Sequence, residues 1–119
     1  ELYDDAIEEF QTACKATSPN NPDGRYFNCC NMLGFCFMQN NMARPAAVWY
    51  KRGLDSPNRS DEEYQAMRYD LGSTYEVLGE FDKALELFHE VYAIDINYRN
   101  VSAKIRELRS RLEETNNRS

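Results

Sequence analysis

At 119 residues the chain is sized for one domain and is long enough to bury a core. Its 42% hydrophobic and 29% charged residues are those of a globular protein. A formal net charge of −6 argues against nucleic acid as a partner, because phosphate binding draws on Lys and Arg, and no apolar run is long enough to span a bilayer.

The elements read as helices from end to end. Leu2, Tyr3, Ala6, Ile7, Phe10, Ala13 and Cys14 recur at helical spacing over 2–16. The stretch TSPNNPDG, 17–24, then breaks the pattern with two prolines and a glycine. Residues 25–40 resume it with Tyr26, Phe27, Cys30, Leu33, Gly34 and Phe37. A short polar turn, QNNMAR, leads into a helix over 44–54 with Pro45 in its first turn, where a missing N–H costs little. DSPNRS breaks the chain again, and Ser60 with Glu63 forms a capping-box pattern that starts a helix at Asp61. This helix runs to about Leu78, GEFD turns the chain, and Phe81–Ile94 is the next. A last helix is expected from Tyr98, with Val101, Ile105, Leu108 and Leu112 as one apolar seam. No strand alternation occurs, so the fold class is all-α with six helices.

Charge is uneven along this layout. Residues 1–98 carry 8 basic and 17 acidic side chains, whereas 99–119 carry 6 basic and 3 acidic. There is no signal-peptide pattern. The chain opens at Glu1 already inside a helical pattern, which reads as a fragment of a longer, cytoplasmic protein.

Chemistry-bearing patterns are sparse. Cys14, Cys29, Cys30 and Cys36 form no C-x-x-C, and one His is too few for a zinc-finger spacing. The main reading is small buried apolar residues, with a thiol or metal site as the lesser alternative and no metal or cofactor expected. Gly72 lies mid-helix, and no G-x-x-x-x-G-K-[ST] or G-x-G-x-x-G occurs. His89 next to Phe88 faces outward with no third group to orient it, so no catalytic residue is assigned and the chain is read as a non-enzyme. Glu8-Glu9 and Glu62-Glu63 are solvated helix faces.

The chain overlays on itself. Shifting by 38 places Leu33-Gly34 on Leu71-Gly72, Phe37 on Tyr75, Ala46 on Ala84, Tyr50 on Phe88 and Gly53 on Val91. Shifting by 40 places Ala6 on Ala46, Phe10 on Tyr50 and Ala13 on Gly53. Three copies of one unit emerge, the first lacking its leading helix. Close helix packing needs small residues, which Gly34, Gly72, Ala46 and Ala84 supply. The aromatics at 37, 50, 75 and 88 fill the space around them, and Gly79 turns the chain.

These residues resemble the tetratricopeptide repeat family, whose leading helix carries W-x-x-L-G-x-x-Y with a period of about 34. The chain departs from that pattern at Arg68, Val91 and Ile96, and has Asn41 where the family commonly has glycine. The excess length fits in loops 17–24 and 56–60, as in bacterial long-loop repeats. The resemblance implies antiparallel helix hairpins stacked as a short right-handed α-solenoid over the single domain 1–119. Its parts are 1–16 (a truncated repeat), 25–55, 61–96 and a capping helix 98–115, with Lys104, Arg106, Arg109 and Arg111 on the outer face of the cap.

The resemblance also implies a protein-interaction scaffold whose concave groove binds a peptide or partner protein. The groove positions map onto Asn28, Asn31, Phe35, Met38 and Gln39 of the middle unit, and onto Ala66, Tyr69, Asp70, Ser73, Glu76 and Val77 of the last. Asn and Gln suit an extended peptide backbone, and Phe35, Met38 and Tyr69 suit an apolar anchor. The set holds no Lys or Arg, so no clamp for a C-terminal carboxylate is expected. The alternative function is self-association, as a homodimer through the truncated first helix (Tyr3, Ile7, Phe10) or the 98–112 seam.

Overall fold

A computed structural model of the chain describes residues 2–20 and 23–118; Glu1, Asn21, Pro22 and Ser119 lie outside the described residues, and with Asn21 and Pro22 so does the middle of the 17–24 break. The described residues are helical with no strand. The helices are α1 (Leu2–Lys15), α2 (Arg25–Gln39), α3 (Ala43–Leu54), α4 (Asp61–Val77), α5 (Phe81–Ile94) and α6 (Val101–Arg118). Each helix packs chiefly on the next along the chain, α1 on α2 through to α5 on α6. The molecule measures 48 × 33 × 21 Å, with a radius of gyration of 15.4 Å. A compact globule of this length would have about 13.5 Å, so the molecule is more elongated than that.

The internal repeat is present in the backbone. α2 and α4 end in the same Schellman turn. The Met42 and Asn41 amides donate to the carbonyls of Phe37 (2.8 Å) and Met38 (3.1 Å), and those of Glu80 and Gly79 donate to Tyr75 (2.9 Å) and Glu76 (3.1 Å). The turn requires a left-handed residue, and Gly79 (φ 76°) and Asn41 (φ 59°) fill that role. Asn serves because its short polar side chain tolerates this region better than other non-glycine residues. Side chains also reach from these turns to other helices: Asn40 Nδ2 donates to Asp4 Oδ1 of α1 at 3.0 Å, and Arg44 Nη1 of α3 donates to Glu80 Oε2 at 2.6 Å.

The capping box is formed as expected. Glu63 N–H donates to Ser60 Oγ at 3.1 Å and Ser60 N–H donates to Glu63 Oε1 at 3.0 Å. That backbone hydrogen bond holds the Glu63 carboxyl below its ordinary range. The neighbouring 56–60 loop is pinned by Tyr64, whose hydroxyl donates to the Ser56 carbonyl (2.6 Å) and accepts from Arg59 N–H (3.1 Å).

The core draws on α2, α4, α5 and α6, with Cys30, Leu33, Met67, Thr74, Phe88, Val91, Val101 and Leu108 fully buried. Gln65 is a buried polar member; its Nε2 donates to the Val91 carbonyl at 3.2 Å and so ties α4 to the end of α5. In α1, the equivalents of the buried Ala46, Tyr50 and Gly53 are only half-buried: Ala6, Phe10 and Ala13. Ile7, one of the residues named for a homodimer face, is buried, while Tyr3 is half-buried.

The last helix starts three residues later than expected. Asp95 accepts from Asn97 N–H at its side chain (3.0 Å) and from Tyr98 N–H at its carbonyl (3.1 Å). Arg99 at φ 41° then reverses the backbone. Tyr98 therefore belongs to a turn. Val101, Ile105 and Leu108 keep the apolar seam, packed against α5, and Leu112 is half-buried.

Candidate functional site

The positions mapped to a groove fall on α2 and α4, and the two helices carry them in different states. On α2, Asn28, Asn31, Phe35 and Gln39 are exposed and Met38 is half-buried. The spacing from 28 through 31, 35 and 38 forms one stripe on a helix. Phe35 is 48% exposed, a large aromatic surface for a residue flanked by amides. Met32, on the neighbouring face, is 39% exposed. Behind the stripe, Leu33, Gly34 and Phe37 are buried, in a helix that packs on both α1 and α3.

On α4, Tyr69, Asp70, Ser73 and Glu76 are half-buried, as is Ala66, and only Val77 is open, at 68%. The polar atoms of Tyr69, Asp70 and Glu76 are already engaged from within the chain. Tyr69 Oη donates to Asn100 Oδ1. Its ring stacks edge-on to Phe88 at 5.4 Å and tilts against Tyr98 at 6.0 Å. The Arg99 guanidinium sits 4.8 Å above the Tyr69 ring and 5.2 Å above that of Tyr98. It also lies 3.7 Å from Asp70. Lys104 Nζ meets Glu76 Oε1 at 3.0 Å.

Two sequence expectations are corrected here. The surface was expected to hold no Lys or Arg, but Arg99 and Lys104 reach it from the turn before α6 and from α6 itself. Lys104 was expected on the outer face of the cap, yet it is part-buried against α4. The other basic residues of α6 are partly committed as well. Arg111 lies 5.5 Å over the Phe81 ring and 3.3 Å from Glu107, Arg109 approaches His89 Nε2 at 3.4 Å, and Arg106 is exposed.

The electrostatics follow from burial. Asp70 is pushed above the ordinary carboxylate value by burial, partly offset by the Arg99 charge. Burial pulls Lys104 down, but the hydrogen bond and charge of Glu76 outweigh it and leave the ammonium raised. Half-buried Glu80 is lowered by its hydrogen bonds to Lys83 and Arg44.

The repeat-motif residues Leu33, Gly34, Phe37, Ala46, Tyr50, Leu71, Gly72, Tyr75, Ala84 and Phe88 are all buried, while Gly79 lies exposed in its turn. Sequence reasoning missed Tyr98, Arg99 and Asn100 as partners of α4. The periodicity of 98, 101, 105, 108 and 112 drew Tyr98 into the helix and hid the turn. The four cysteines are free, and among the described residues no group of His, Cys, Asp and Glu is arranged to hold a metal. Among the described residues no helix is long and apolar enough to cross a membrane.

No protein-family model matches the chain, and no curated protein matches it.

Proposed function

We propose that the chain is a non-catalytic protein-interaction scaffold of the tetratricopeptide type, a short right-handed solenoid closed by α6. The repeated Schellman turn, the elongated shape and the packing of each helix chiefly on the next support the architecture. The observation that carries the function is the open stripe on α2: Phe35 is 48% exposed between the exposed amides of Asn28, Asn31 and Gln39. An extended peptide can set an apolar side chain on Phe35 and Met38 and hydrogen-bond its backbone to the amides.

The α4 half of the mapped groove contributes less in this reading, since Tyr69, Asp70 and Glu76 have internal partners. No carboxylate clamp is expected, and the pairing of Arg99 and Lys104 each with an acid supports that reading. Isothermal titration with an acidic C-terminal peptide is expected to show no saturable binding; micromolar affinity contradicts this. Substituting Phe35→Ala tests the stripe itself.

Self-association is the second reading. It rests on α1, where Tyr3, Ala6, Phe10 and Ala13 are only half-buried. Light scattering coupled to size-exclusion chromatography separates the two readings, since a scaffold stays monomeric and a self-association module gives twice the mass.

A further inference from the structure

α1 and α3 both pack on α2, and at one end of these three helices they leave a cavity of about 410 Å³. Gln11, Cys14 and Lys15 line it from α1, Trp49 and Arg52 from α3, and Tyr26 from the first turn of α2. Its rim is tied down by Ser56, whose Oγ donates to the carbonyl of Pro19, another lining residue, at 3.1 Å. The volume is in the range of small-molecule pockets. None of these residues belongs to the α2 stripe.

The charge of the lining is the reverse of the molecule's. The chain carries a net −6, yet Lys15 and Arg52 line this cavity and, among the described residues, no Asp or Glu does. Seven other cations are ion-paired among the described residues, and these two are not. The Arg52 guanidinium lies instead 4.7 Å over the Trp49 ring, which sets a forked donor beside an aromatic plane. Burial raises the Cys14 thiol and the Tyr26 hydroxyl, so both stay neutral at neutral pH and add no negative charge to the lining.

We propose that this cavity binds a small planar aromatic acid, with its carboxylate on Arg52 and Lys15 and its ring against Trp49 and Tyr26. The guanidinium fork matches a carboxylate with two parallel hydrogen bonds, and Lys15 adds a second positive charge. The two aromatic side chains offer the ring a stacking or edge-on contact. A neutral ring would gain only that apolar contact, and a cationic one would meet two unpaired positive charges. Each cation also sits in the last turn of its helix, where it offsets the partial negative charge of the C-terminus. That structural role needs neither a cavity nor an aromatic neighbour, so ligand binding separates the two roles.

The test is isothermal titration of naphthoate into the folded chain, with naphthamide as the uncharged isostere. Trp49 is the chain's one tryptophan, so a single indole N–H cross-peak in the nitrogen–proton spectrum reports on this cavity. The expected result is one saturable site for naphthoate, a movement of that peak that saturates with the heat, and binding of the amide weaker by about tenfold or more. Arg52→Gln should weaken naphthoate binding by about tenfold, and Lys15→Gln should weaken it as well. Lys51→Gln removes the neighbouring charge on α3, which lines a different cavity, and should leave binding unchanged. No saturable heat, equal affinity for acid and amide, an indole peak that stays in place, or equal losses for Lys51→Gln and Arg52→Gln would each overturn the assignment.

Discussion

Tyr50 lays its ring on the backbone of Gly34: a Cβ built at Gly34 would lie 2.4–2.6 Å from three ring atoms. The equivalent pair, Gly72 and Phe88, is looser, at 2.9–3.2 Å. In both hairpins the glycine is what lets the aromatic of the second helix reach the first. Gly34→Ala gains about 1 kcal/mol in helix propensity but overpacks the core, which costs about 1–3 kcal/mol. Urea denaturation should show a net loss for Gly34→Ala that exceeds that for Gly72→Ala, where a small movement of Phe88 relieves the contact. Equal effects at the two sites would contradict the difference in fit.

Asn41 holds a left-handed backbone at φ 59°, the place that Gly79 fills in the next unit at φ 76°. Glycine adopts this conformation without steric cost. Asn41→Gly should therefore be neutral or stabilising by up to about 1 kcal/mol, and Asn41→Val should lose about 1–2 kcal/mol. Thermal melts of the two variants measure the difference, which should carry opposite or clearly unequal signs.

Ser60 caps α4 through a reciprocal box with Glu63. Ser60→Ala should cost about 1 kcal/mol at neutral pH. The folded pKa of Glu63 is depressed below its ordinary 4.5. Its contribution is therefore present above that value and is lost as pH falls through the folded pKa. The gap between Ser60→Ala and the parent protein should narrow in acid, as read from melts across that range.

Asp70 behaves in the opposite sense. Its folded pKa lies above the ordinary 3.8, so the folded state binds its proton more tightly than the unfolded chain. Stability from this group therefore falls as pH rises through the folded pKa, and the ionised carboxylate is a burden at neutral pH. Asp70→Asn should hold or slightly raise the melting temperature at pH 7. A fall of several degrees would show that the 3.7 Å contact with Arg99 outweighs the cost of burial.

Local signals were enough to place the helices. Ser60 with Glu63, Pro45 and Gly79 punctuate the chain, and the apolar spacing between them matches the observed elements within one or two residues at most ends. The turn at 95–100 was hidden because Tyr98 keeps the apolar spacing of α6 while Arg99 reverses the backbone. The commitment of Tyr69, Asp70 and Glu76 was hidden for a different reason. Their partners Asn100, Arg99 and Lys104 lie 28–31 residues away. A basic residue on a last helix looks like a solvated cap until tertiary packing turns it inward. The α2 stripe raised no such difficulty, because its neighbours leave it open.

The most direct test is a displayed-peptide selection against the folded protein, followed by titration of the recovered peptides into three proteins: the parent, Phe35→Ala, and Val48→Ala. Val48 is 44% exposed on α3, outside the stripe, and serves as the control. If the α2 stripe is the binding face, Phe35→Ala weakens binding about tenfold or more, in the range of an interface anchor, and Val48→Ala leaves it unchanged. Peptides that bind the parent and Phe35→Ala equally well would contradict that assignment.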